Sequence, residues 1–107
     1  MNTEQDIEPL TTDSNVHPVR ILLVDDKPEN LVSLESLLSE EGGNITYLFA
    51  HSGEEALKIA LQEELALILL DVQMPNMNGY EVARYLRNIS KTRDIPIIFV
   101  TAIAQQE

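Results

Sequence analysis

Four short stretches of this chain are apolar at almost every position, and apolar residues at helical spacing fill the segments between them. Ile21-Leu22-Leu23-Val24 runs straight into Asp25-Asp26, and Leu65-Ala66-Leu67-Ile68-Leu69-Leu70 runs straight into Asp71. A strand that is apolar on both sides of its pleat belongs inside a parallel sheet covered on both faces. In an open α/β sheet, ligands bind outside the carboxyl ends of the strands. If the first and third strands are neighbours, three carboxylates share one crevice. Such a cluster does not stay fully ionised unless a positive charge sits within it.

The elements follow from spacing and end signals. Ile21 to Val24 is a strand, and Pro28 is placed for a first helical turn, where its missing N–H costs nothing. Leu31, Leu34, Leu37 and Leu38 form the apolar stripe of a first helix, which Gly42-Gly43-Asn44 ends. Ile45 to Ala50 is a second strand, rich in β-branched and aromatic residues. Ser52-Gly53-Glu54-Glu55 has the form of a capping box and opens a helix with Ala56, Leu57, Ala60 and Leu61 on one face. Ala66 to Leu70 is a third strand. Asn78-Gly79-Tyr80-Glu81 is another capped start, with Val82, Leu86 and Ile89 as the buried stripe. Ile95 to Val100 is a fourth strand, with Pro96 confined to its beginning. The order β-α-β-α-β-α-β with short connections implies an α/β fold with a parallel sheet.

At 107 residues the chain is the size of one domain. Residues 1–18 are acidic and polar and read as a flexible N-terminal tail, leaving 19–107 as the folded domain. Seven basic residues against 18 acidic ones give a net charge of −11, which repels nucleic acid and anionic membranes and favours cations or basic protein faces. With no cysteine there is no disulfide, thiolate metal site or thiol nucleophile. No apolar stretch has the roughly 18 residues a membrane span needs. The N-terminus lacks the basic and apolar regions of a secretory signal, so the expected location is cytoplasmic.

Any one of Asp25, Asp26 and Asp71 alone would be an ordinary loop or cap residue. As a set they are an oxygen-only donor group, which selects Mg²⁺ or Mn²⁺ over zinc. Mg²⁺ is usually held by one or two carboxylates together with phosphate oxygens, so the set points to phosphoryl chemistry. Lys27 reads as a solvated residue beside the acidic pocket, and His51 as a loop residue. Met74-Pro75 and Gly79 read as turn punctuation on spacing alone.

Three segments together resemble the receiver domains of two-component response regulators. They are Leu22-Leu23-Val24-Asp25-Asp26, then Leu69-Leu70-Asp71-Val72-Gln73-Met74-Pro75-Asn76-Met77-Asn78-Gly79, then Ile97-Ile98-Phe99-Val100-Thr101-Ala102. The resemblance covers roughly residues 20 to 104 and implies a flavodoxin-like, doubly wound parallel sheet of strand order 2-1-3-4. It also implies that the fifth strand, with its lysine and aromatic switch residue, and the last two helices are missing, so that the domain is incomplete at its C-terminus.

The implied roles are specific. Asp71 matches the phosphoacceptor, Asp26 the direct Mg²⁺ ligand and Asp25 the ligand that acts through water. Gln73 matches the position whose backbone carbonyl completes the metal shell. Thr101 matches the switch hydroxyl, and Ala102 the small residue beside it. The implied partner is a sensor histidine kinase or phosphotransfer protein, and the open sheet edge invites self-association. The implied role is a phosphoacceptor module, not a turnover enzyme. Two other readings stand beside it: a receiver-like interaction domain without phosphorylation, and a haloacid-dehalogenase-like phosphatase. The second wants an Asp two residues after its nucleophile, and the chain has Gln73 after Asp71 and Pro28 after Asp26.

Overall fold

The computed structural model describes residues 18–39 and 43–100. Seven elements alternate along them: β1 (Val19–Val24), α1 (Pro28–Ser39), β2 (Ile45–Ala50), α2 (Gly53–Gln62), β3 (Leu67–Asp71), α3 (Gly79–Arg87) and β4 (Ile97–Val100). The strands form one parallel sheet in the order β2-β1-β3-β4. This is the 2-1-3-4 order of a doubly wound α/β fold. All of the expected tail but Pro18 lies outside the described residues, as do Thr101 and Ala102.

Both faces of the sheet are apolar, which is why the strands lack polar alternation. Leu22, Val24, Ile68 and Leu70 face α2 and α3, where Ala50, Ala56, Ala60, Met74, Val82 and Leu86 complete the larger core. Leu23 and Leu69 face α1 and pack on Leu31, with Tyr47, Phe49 and Val100 partly buried around them. Burying a side chain such as Leu22 or Leu70 completely is worth roughly 1.5–3 kcal/mol.

Two helix stripes are narrower than their sequence implies. Leu37 is 64% exposed and Leu61 46% exposed. At about 100° per residue, Leu37 falls roughly a quarter turn from the centre of the Leu31, Leu34, Leu38 stripe. Leu61 is displaced by a similar amount from Gly53, Ala56 and Ala60, the buried residues of α2. Ile89, expected on the α3 stripe, lies beyond the helix end and is half-buried. Residues 66 and 95–96 fall outside the strands expected to include them. Pro96 nevertheless serves the sheet through its carbonyl, which accepts from Ile68 N–H at 3.0 Å. Proline keeps that acceptor while lacking a donor.

The helix starts show how local chemistry sets the boundaries. Asn78 and Glu81 form a reciprocal capping box, with Glu81 N–H donating to Asn78 at 3.0 Å and Asn78 N–H donating to Glu81 at 2.9 Å. At α2, Ser52 accepts from Glu55 N–H at 3.1 Å as expected, but Glu55 accepts from His51 N–H at 2.8 Å instead of from Ser52. The glutamate therefore ties the end of β2 to the first turn of α2. Gly43, just before β2, has φ of +94°, a conformation that favours glycine. At the other end of α3, the buried Thr92 hydroxyl donates to Leu86 O at 2.6 Å. Arg87 donates to the carbonyls of Arg93 and Ile95, fixing the entry to β4.

Candidate metal centre

The site is built at the carboxyl ends of β1 and β3. Val24 is paired with Leu70 in the parallel register, so the next residues, Asp25 and Asp71, lie side by side at the strand ends. Asp71 is still in register with Val100 of β4. Asp25 N–H donates to Ala50 O at 3.1 Å, which holds the tip of β1 against β2. One carboxylate oxygen from each of Asp25, Asp26 and Asp71 lies within 4.8 Å of the others. The structure therefore brings together the three acids that the strand ends predict.

The three are not equivalent. Asp25 is 9% exposed, and both of its oxygens are occupied: Lys27 N–H donates to Oδ1 at 2.9 Å and Asn30 Nδ2 donates to Oδ2 at 3.0 Å. Asp26 Oδ1 is buried with no hydrogen-bond partner among the described residues. Asp71 is 7% exposed. Burial raises its carboxyl above the usual carboxylate range, and the neighbouring Asp25 and then Asp26 charges add to that. The Gln73 backbone N–H and the Lys27 charge pull it partly back. A buried anionic oxygen without a donor is costly. The three hard carboxylate oxygens that meet here fit a divalent cation such as Mg²⁺.

The loop after Asp71 is shaped by packing. Met74 is buried in the larger core, so it is more than turn punctuation. Met77 N–H donates to Pro75 O at 2.8 Å, and Asn76 between them has φ of 72°. Gly79 N–H donates to Val72 O at 2.9 Å and brings the start of α3 directly under the strand end. Gln73 is exposed in this loop. Lys27 and His51 are also exposed, as their sequence contexts imply, and His51 Nδ1 lies 3.4 Å from Glu55. Thr101, the expected switch hydroxyl, follows Val100 in the sequence and lies outside the described residues. Asn30 was not singled out by sequence; the available signal was an amide in the first helical turn after an Asp pair.

A doubly wound α/β domain with an acidic crevice at the tips of adjacent central strands is the class of protein that can hold a divalent cation where such sheets bind their ligands. The comparisons narrow the class. The response regulator receiver domain model matches residues 21–107. The chain is 36% identical to protein PilH of Pseudomonas aeruginosa over 87 residues, which are 81% of this chain and 70% of PilH. It is 45% identical to the transcriptional regulatory protein CpxR of Klebsiella pneumoniae over 83 residues, or 78% of this chain but 33% of CpxR. Among solved structures, the response regulator TrrA of Thermotoga maritima, in complex with Mg²⁺ and BeF, superposes with a TM-score of 0.71 at 42% identity, covering 78% of this chain and 70% of that one. The chain belongs to the response regulator receiver domain family. It is a phosphoacceptor module of two-component signalling.

Proposed function

We propose that Asp71 is the residue of this receiver that accepts the phosphoryl group, from a phosphohistidine on a sensor histidine kinase or phosphotransfer protein. The observation that carries this is the meeting of one carboxylate oxygen each from Asp25, Asp26 and Asp71 within 4.8 Å of one another, with Asp26 Oδ1 buried and without a hydrogen-bond partner among the described residues. Asp71 stands at the end of a rigid central strand, paired on one side with β1 and on the other with β4. Its carboxylate oxygen attacks phosphorus, the P–N bond to the imidazole breaks, and an acyl phosphate forms. Such transfers ask for positioning and charge compensation more than for covalent work by the protein.

Asp26 and Asp71 would hold a Mg²⁺ ion directly, with Asp25 acting through water and Gln73 offering its backbone carbonyl. When bound, Mg²⁺ supplies the positive charge that offsets repulsion between the carboxylates and phosphoryl oxygens. Asp71 becomes a group with about −1.5 to −2 charge and several acceptor oxygens. Thr101, next after the strand residue paired with Asp71, is the hydroxyl assigned to answer that charge with a hydrogen bond. Attack of water on the phosphorus of the acyl phosphate breaks its bond to the Asp71 oxygen, releases inorganic phosphate and regenerates the carboxylate, as a reusable signalling switch requires.

The test is phosphorylation of the full chain by acetyl phosphate with and without Mg²⁺, read by intact mass. One hydroxylamine-labile phosphoryl group is expected, with Mg²⁺ required and Asp71→Asn abolishing it. Labelling that survives Asp71→Asn, or that forms equally well in a chelator, overturns the assignment.

A further inference from the structure

We propose that Asn30 is a positioning residue that assigns different roles to the adjacent carboxylates Asp25 and Asp26. This inference rests on the divalent-ion reading of the acidic site and concerns how the chain prepares that site.

Adjacent acids at a strand end are chemically alike and would compete for one cation. The structure separates them. Asn30, in the first turn of α1, donates Nδ2–H to Asp25 Oδ2 at 3.0 Å, while Lys27 N–H occupies Oδ1 at 2.9 Å. An ionised carboxylate only accepts, so the amide nitrogen must be the atom that faces it. Asp25 is thereby clamped from both sides, with its charge partly spread onto two donors. Asp26 has no such clamp on Oδ1, which is buried and has no partner among the described residues. Asp26 is left as the oxygen donor with most to gain from a cation, and Asp25 is fixed at a set distance beside it.

The placement of Asn30 is itself secured by backbone geometry. Its N–H donates to Lys27 O at 3.0 Å, closing the turn that begins at Lys27, two residues after Asp25. The amide and the Lys27 N–H thus approach Asp25 from one short, closed segment. Partners that hold a metal-binding carboxylate typically change affinity by 10–100-fold when removed.

The experiment is a Mg²⁺ titration of the full chain by calorimetry. It compares the native chain with Asn30→Leu, Asn30→Ser, Asp25→Asn, Asp26→Asn and the double variant Asp25→Asn/Asn30→Leu, and melting without Mg²⁺ controls for folding. Asn30→Leu is expected to weaken Mg²⁺ by about tenfold, the low end of that range. Asn30→Ser, which keeps a short donor, is expected to lose less. In the Asp25→Asn background the Asn30 change should cost nothing further, because the two residues act as one unit. A purely structural Asn30 would lower the melting temperature and leave affinity unchanged. That result overturns the inference, as does full additivity in the double variant. Asp26→Asn separates the two levels: if it abolishes binding while Asn30→Leu does not alter it, only the positioning role falls. If Asp26→Asn binds Mg²⁺ like the native chain, the metal reading falls as well.

Discussion

Gly79 lies so close to the backbone of Asp71 that a Cβ on it would stand 2.3 Å from the Asp71 carbonyl oxygen. The start of α3 and the end of β3 are therefore in direct backbone contact, and the closest atom cannot swing away as a side-chain tip would. Gly79→Ala should force the two segments apart at the residue that carries the chemistry. The expected result is a loss of roughly 1–3 kcal/mol in urea unfolding, the usual cost of overpacking, with slower phosphorylation by acetyl phosphate. Native stability and native rate together would show that the contact is not a constraint.

The environment of Asp71 has a consequence for stability against pH. Its carboxyl is raised above the ordinary value by burial first and by the Asp25 charge second. The folded chain thus keeps this proton at pH values where the unfolded chain, with an Asp value of about 3.9, has released it. Stability should fall as pH rises through the window from the unfolded value to the raised folded value, and the full penalty persists above it. Asp71→Asn removes the group, so it should stabilise the chain near neutral pH and flatten this part of the profile. Urea unfolding of both proteins across mildly acidic to neutral pH, without divalent ions, reads the difference. An Asn variant that is less stable at neutral pH contradicts it.

Mg²⁺ should relieve the same repulsion. A ligand that binds only the folded state stabilises it by an amount that grows with the logarithm of its concentration, about 1.4 kcal/mol at ten times the dissociation constant. The rise in melting temperature should vanish in Asp26→Asn. It should not be reproduced by NaCl at matched ionic strength, which only screens. Equal effects of the two salts would mean that no ion is held at the site.

The uneven burial of α1 gives a contrast within one helix. Leu31 is 3% exposed and packs on Leu23 and Leu69, whereas Leu37 is 64% exposed. Leu31→Ala should cost about 2–5 kcal/mol, the range for emptying a core position. Leu37→Ala should stay within about 0.5 kcal/mol, as exposed substitutions do. Thermal or urea unfolding of the pair tests the face that α1 turns to the sheet.

Much of this was legible in the chain because it depends on near neighbours. Apolar runs on both sides of a pleat mark β1 and β3 as interior strands, and Ser52 and Asn78 announce helix starts through bonds only three residues long. The Asp pair and Asp71 stand out because each ends such a run. What the pattern overstated was the width of the helix stripes: an apolar residue adds to a periodicity even when, like Leu61, it points past the sheet. What it misdirected was Glu55, whose carboxylate reaches His51 N–H instead of the cap it was matched to.

The strand and helix order, the charge at two strand tips and the chemical hardness of those donors were determined by the sequence itself. Tertiary structure alone decided that β1 and β3 are neighbours, and that three oxygens fall within 4.8 Å. It also decided that Asn30 occupies Asp25 while Asp26 Oδ1 has no donor among the described residues. The reason is one of range. Backbone periodicity is set by adjacent residues, whereas the meeting of β1 with β3 joins segments far apart in the chain, and the sharing of donors around Asp25 turns on side-chain geometry that periodicity does not carry.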